Sequence, residues 1–330
     1  MPEVRPSDIA RMRDALFIDG PVTGRQASRF WVLLSLAAVI ATAGLISSSE
    51  ATVIGAMIVA PLMTPILGAA LALVLADRAH LLRSAGLVVA GGLLVVGIGA
   101  LMAFVVHPVD AFAGNAQVEA RTSATLIDLV AALATGTVGA FALVRSDVSD
   151  TLPGVAIAIS LVPPLATVGL LLEVGRFQAA TGALLLFVTN VAAIIATGVV
   201  VLLLYRVRAA AEQGGWAPGR LRGTALAAVG AVLLLLCVPL ATTSLQLVTG
   251  ELDQRTAAEV SARWAASVGW HLEAVQIRNS VLVVTALGPP PLPDTAGLRS
   301  QLAANGLSGL ALQLRLAVGS TQNYPLQTGG

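Results

Sequence analysis

From Phe30 onward the chain alternates long apolar runs with short polar breaks. Seven runs come near the length of about 20 residues that a helix needs to cross hydrocarbon. They are Phe30 to Ile46, Ala51 to Ala76, Leu81 to Val106, Ala124 to Val144, Leu152 to Leu172, Ala179 to Tyr205 and Thr224 to Thr243. Two of them carry central prolines, Pro61 and Pro65 in the second and Pro163 and Pro164 in the fifth. A proline lacks an N–H and its ring clashes with the carbonyl four residues back. Each pair therefore predicts a helix broken at mid-depth, with the carbonyls of Met57 and Pro61, and of Ile159 and Ser160, set free.

In hydrocarbon an unpaired carbonyl costs several kcal/mol unless protein, water or a bound solute meets it. Two matched breaks thus make a candidate solute site from Met57, Pro61, Thr64, Pro65, Ile159, Ser160, Pro163 and Pro164. Packed kinks are the other reading of the same residues. Asn190, in the sixth run, carries an amide that either joins helices or meets a solute.

The two broken runs are related. Aligning Gly55 with Gly154 sets Thr52 on Thr151, Ile58 on Ile157, Leu62 on Leu161 and Pro65 on Pro164, with Glu50 beside Asp147 and Asp150. These acidic residues complement the helix dipole at the starts of the broken helices. Arginines gather on alternate sides of the runs: Arg5, Arg11, Arg13, Arg25, Arg29, Arg78, Arg83, Arg145, Arg206, Arg208, Arg220 and Arg222 fall on one side, Arg121 and Arg176 on the other. By the positive-inside rule the N-terminus is cytoplasmic. Three runs per repeat then make the two halves inverted, and such a pairing puts a transporter's site at the repeat interface.

The expected fold is an α-helical polytopic membrane protein with two inverted three-helix repeats whose second helices are broken by proline, a seventh helix and a small α+β C-terminal domain. Its parts are a cytoplasmic arm over 1–29, repeats over 30–123 and 124–208, a loop and seventh helix over 209–247, and an extracytoplasmic domain over 248–330. In the arm, Ser7 is placed to cap a short interfacial helix with Ile9, Met12 and Leu16 on one face. The third run is rich in glycine at 86, 91, 92, 97 and 99, and the fourth holds Gly136 and Gly139, which predicts interior or dimer-forming helices. In the tail, Leu252 to Ser267 and Thr295 to Ala304 read as helices, and His271 to Ile277, Ser280 to Leu287 and Leu310 to Val318 as strands. That order is similar to the lipid- or envelope-associated modules called BON domains.

Composition narrows the functions. The 330 residues are 56% hydrophobic and 11% charged, with a net charge of +1, which places the chain in the bilayer and gives no footprint for nucleic acid. There is no lysine, so a phosphate-binding P-loop and a Schiff-base lysine are excluded. The lone Cys237 has no internal disulfide partner, and His80, His107 and His271 lack metal-ligand spacing and read as interface or surface residues. No metal or cofactor is expected. Asp128, near the end of the fourth run, is a candidate for ion or proton coupling together with Glu50, or an interfacial residue held by Thr125 or Arg121. No constellation of nucleophile, base and orienter is present, so no enzymatic activity is expected.

The segments IATAGLISSSEATVIGAMIVAPLMTPILG, EARTSATLIDLVAALATGTVGAFAL, LPGVAIAISLVPPLATVGL and FVTNVAAIIATG resemble the bacterial and archaeal hydrophobic proteins of the domain of unknown function 389 family. The resemblance covers about Phe30 to Gly198 and implies a polytopic membrane protein with an undefined activity. Ser48, Glu50, Gly55, Met57, Pro61, Pro65, Arg121, Asp128, Gly154, Pro163, Pro164 and Asn190 stand at family-like positions, although Glu50 and Ala51 replace more neutral or aliphatic residues. The expected function is a secondary transporter or channel-like carrier for a small solute or ion, as a homodimer in the cell membrane. The alternative is a membrane anchor and dimerisation unit for an extracytoplasmic sensory or envelope-binding domain.

Overall fold

The computed structural model describes residues 4–19, 24–106, 115–145, 161–216, 219, 223–278 and 281–318. It divides into two compact units, Met1–Thr243 and Ser244–Gly330. The elements of the first unit are α1 (Pro6–Leu16), α2 (Arg25–Ile46), α3 (Glu50–Val59), α4 (Met63–Leu75), α5 (Arg78–Val106), α6 (Ala116–Glu119), α7 (Leu126–Val144), α8 (Val162–Glu173), α9 (Phe177–Leu204) and α10 (Val207–Gln213). Helix α11 (Gly223–Ser267) contributes its first part to this unit and its second part to the other.

Among the described residues, α2, α5, α7 and α9 are long and apolar enough to cross a membrane, and α3 and α4, bent by 47° at their junction, have together the length and composition of either a broken span or a re-entrant loop. The expected seventh run lies within α11. Of the fifth run, residues 152–160 lie outside the described residues, and its remainder forms the shorter apolar helix α8.

Local chemistry sets the helix ends. Ser49 caps α3, its Oγ accepting the Thr52 N–H at 3.4 Å, so the cap is Ser49 and Glu50 occupies the first turn behind it. Helix α3 stops where Pro61 offers no N–H to the Met57 carbonyl. Helix α4 ends on Ala76, which is left-handed at φ 53° and so turns the chain toward α5. Asp77 then caps α5 by accepting the His80 N–H at 3.1 Å. Thr125 and Asp128 form a capping box on α7.

Helices α4 and α8 are the centre of this unit. Pro65 to Ala72 and Val162 to Leu171 are buried on every side, whereas α2, α5, α7 and α9 each keep an exposed apolar face. Both short helices pack against the same two long ones, α5 and α9. Gly92 meets Leu165 and Gly99 meets Ala166 and Gly169, so α5 and α8 ascend together. The tight turns at Ala76 and Gly175 reverse α4 against α5 and α9 against α8, and α4 and α9 are therefore parallel to each other and antiparallel to the first pair. Only one face of the glycine-rich α5 is used: Gly91, Gly92 and Gly99 receive neighbours while Gly86 and Gly97 meet nothing within 4 Å.

The arm differs from the interfacial helix expected of it. Its helix begins at Pro6 behind Arg5, whose N–H donates to Asp8 at 3.0 Å; Pro6 suits the first helical position because its missing N–H has no partner there anyway. Ser7 is thus inside the helix and does not cap it. The face of Ile9, Met12 and Leu16 is buried in the core cluster, against protein, with α4, α7 and α10 as its neighbours.

In the second unit the end of α11 is followed by β1 (His271–Arg278), β2 (Val281–Gly288), α12 (Ala296–Ala304) and β3 (Ala311–Val318). The sheet has the order β1-β2-β3, with β1 antiparallel and β3 parallel to β2. Alternate residues Leu282, Val284 and Ala286 of β2 are buried with Ala257, Val260 and Trp264 of α11 and Leu298 and Leu302 of α12, as the period of two in a half-covered sheet requires.

Candidate functional site

The break between α3 and α4 consists of Ala60, Pro61 and Leu62. Hydrogen bonding resumes with the Thr64 N–H to the Pro61 carbonyl at 3.2 Å and the Ile66 N–H to the Leu62 carbonyl at 3.4 Å. The Pro61 carbonyl, expected to be free, is therefore paired. The reason is position: Pro65 is the third residue of α4, and in the first turn a helix has no use for its N–H. Pro61 does interrupt the ladder, at Met57.

The second break has the same helix start. Leu161 precedes α8 as Leu62 precedes α4, and Pro164 is third in its helix as Pro65 is in its own. Ile159, Ser160, Asp147 and Asp150 lie outside the described residues. Pro163 and Pro164 are buried in the first turn of α8.

A cavity of about 600 Å³ reaches from the break before α4 to the start of α8. It is lined by Met57 to Thr64 from the first and by Leu161 and Val162 from the second. On α5, Gly91 faces Leu62 and the adjacent Gly92 faces Leu165, so both half-helices start against one pair of glycines. Asn190 is buried on α9. Gly198 of α9 touches Ala70 and Leu67 of the parallel α4, and at a rise of about 1.5 Å per residue Asn190 stands level with Leu62.

The remaining wall comes from residues with no place in the sequence-derived site. Asp14, Ala15, Phe17 and Ile18 of the arm, with Gln26, Arg29, Phe30 and Leu33, close the cavity on another side. The Gln26 amide donates to the Asp14 carbonyl at 3.2 Å. Asp14 and Arg29 bring one charge of each sign to the lining. The sequence signal for this wall is the pair Phe17-Ile18 immediately after the apolar face of α1, two large apolar residues in a polar arm.

The arm is anchored beyond the cavity. Phe17 stacks on His80 with ring centroids 4.1 Å apart, and the ring nitrogens of His80 lie 2.7 Å from Asp77 Oδ2 and 3.2 Å from Asp19 Oδ1. Arg13 is 3.9 Å from Asp77 and 4.3 Å above the Trp216 ring. Burial raises the Asp77 pKa, but the His80 N–H, the His80 ring and Arg13 together outweigh it and hold the carboxyl below its ordinary value.

The candidate coupling residues lie elsewhere. Asp128 accepts the Thr125 N–H at 2.9 Å and hydroxyl at 2.7 Å. Arg121 donates to Gln117; burial lowers its pKa, and the charge of Glu50 acts in the opposite sense. Asn115 donates to the Leu45 carbonyl at 2.8 Å, which ties the α6 segment to the end of α2. Glu50 and Arg121 are thus electrostatic neighbours at the end of the unit where α2 passes into α3.

Residues 57–196 match the model of the family described as Domain of unknown function (DUF389). That segment of the chain is similar to the family. An uncharacterized protein of Methanocaldococcus jannaschii is 31% identical over 174 residues, which are 53% of this chain and 53% of the relative. The match therefore spans about half the length of that relative. No solved structure matches the chain. The DUF389 segment begins at Met57, to whose carbonyl Pro61 has no N–H to offer, and it extends six residues past Asn190.

Proposed function

We propose that the first unit is a secondary transporter or channel-like carrier for a small solute or ion, embedded in the cell membrane and built from two inverted three-helix repeats. One observation carries this reading: the break before α4 and the proline-led start of α8, about a hundred residues apart in the chain, line a single cavity. Broken helices that meet at the interface of inverted repeats are where transporters of this design hold their solutes. The repeat reading is supported by α4 and α8, which are antiparallel, start alike and pack on the same two helices. The solute would meet backbone from the end of α3 and the starts of α4 and α8, with the Thr64 hydroxyl as a side-chain partner. Asn190 would act from the level of the breaks. Asp128 and Glu50, both at helix starts, would couple ions only from outside the cavity.

The test uses Cys237→Ala protein with a single cysteine at Thr64 or Val162. A membrane-impermeant thiol reagent is applied from each face in turn. Labelling from both faces, in proportions that shift with conditions, is the expected result. Cysteines inert from both faces in folded protein would show packed kinks and overturn the proposal.

A further inference from the structure

The wall of the cavity formed by the arm ends at His80, and the geometry there depends on one proton. A neutral imidazole has a single N–H, so it donates to one carboxylate and turns a lone pair toward the other. An imidazolium donates to both. His80 stands between two carboxylates, Asp77 at 2.7 Å from Nδ1 and Asp19 at 3.2 Å from Nε2. Its backbone N–H is also bonded to Asp77, which keeps the Nδ1 contact in place. A neutral ring therefore holds its proton on Nδ1 and loses the bond to Asp19.

Asp19 is the last described residue of the arm's first stretch, and it follows Phe17 and Ile18, which line the cavity. The charged groups facing His80, among the described residues, are few. Asp77 comes from the turn before α5 and Asp19 from the arm. Arg13 of α1 lies 3.9 Å from Asp77 and Arg83 of α5 lies 3.6 Å from Asp19. Helix α4 brings no titratable residue, and on α10 Arg208 and Glu212 pair with each other at 3.3 Å. With His80 neutral, Asp19 keeps Arg83 as its ionic partner among the described residues, an exposed pairing that is weak.

We propose that residues 17–19 are a proton-controlled latch, holding the arm against the cavity while His80 is protonated and loosening it when His80 is neutral. Helix α1 itself stays docked through Ile9, Met12 and Leu16 in both states. Only the turn after it responds. That the latch governs solute access rests on the transport reading; the latch itself does not.

The experiment places a spin label on a cysteine at Ile18 in Cys237→Ala protein and reads its mobility between about pH 5.5 and about pH 8, the interval in which histidines change charge. The mobile population should rise about three- to fivefold toward the higher pH, the effect of one partly exposed ion pair. In His80→Gln the mobility should not depend on pH, and in Asp19→Ala, which leaves Nε2 no partner at that position, the turn should be mobile throughout. Amide exchange of residues 17–19, corrected for the intrinsic effect of pH, gives the same readout without a label. A pH-independent Ile18, or a response that survives His80→Gln, would overturn the latch. A second label at Thr64 reports collision with a water-soluble relaxing agent. If Ile18 responds and Thr64 stays shut, the latch stands and the cavity is not a solute route.

Discussion

Gly99 and Gly169 meet across α5 and α8 with no side chain between them: a Cβ on Gly99 would lie 3.3 Å from the Gly169 Cα, and one on Gly169 would run into the Val96 carbonyl oxygen and lie 2.8 Å from the Ala100 nitrogen. Those neighbours are backbone and have no rotamer through which to yield. Where lipid surrounds the helices, such close packing replaces exclusion of water as the force that joins them.

Gly169→Ala should therefore cost about 1–3 kcal/mol, the usual range for overpacking, seen as a lower Tm of the purified protein. Gly97→Ala, on the open face of the same α5, is the control and should stay within about 0.5 kcal/mol of the parent. Equal losses in the two variants would mean that the contact does not hold the helices.

The two prolines of the first break should differ sharply. Pro61→Ala supplies the N–H that the Met57 carbonyl lacks and favours a continuous helix by up to about 3 kcal/mol. The protein should become more stable, and a cysteine at Thr64 should label more slowly. Pro65→Ala, in the first turn of α4, should change neither quantity appreciably. If both substitutions act alike, the break owes its shape to tertiary packing.

Much of this was legible in the residues themselves. The apolar runs gave the long helices because few other structures satisfy a backbone among apolar neighbours, and Pro61 marked the break because its missing N–H is a local fact. The pairing of the Pro61 carbonyl depends on where α4 begins, a matter of one or two residues that periodicity does not resolve. The helix of the arm and its face of Ile9, Met12 and Leu16 were legible, but not what covers that face, because it looks the same whether lipid or α4 does. His80 and Asp19 are 61 residues apart, and no spacing rule connects them. Asp128 was readable as a cap from Thr125 three residues before it, a capping-box spacing.

Acid should weaken the anchorage of the arm at Asp77. Its native pKa lies below the ordinary value of 3.8, so its stabilising contribution is complete above that value and is lost as pH falls through the lower native one. The gap in Tm between the parent and Asp77→Asn should persist as pH falls to about 4 and close below it. A gap that closes already near neutral pH would assign the effect to another group.

Orientation is tested by fusion. A reporter joined after Val318 that works only in the cytoplasm should be silent, and one that requires export should be active, if the arm is cytoplasmic and the number of spans is odd. The reverse result would remove the inverted-repeat argument.

The position of β3 bears on the timing of synthesis. It pairs with β2 on the side away from β1, and it is made last of the described strands. A nascent chain that has reached Gly288 holds only a two-stranded hairpin, marginal by itself in water. Leu282, Val284 and Ala286 then lack the Leu312, Leu314 and Leu316 that complete their core. Chains that stop there would thus present an unfinished apolar sheet, lacking both α12 and β3.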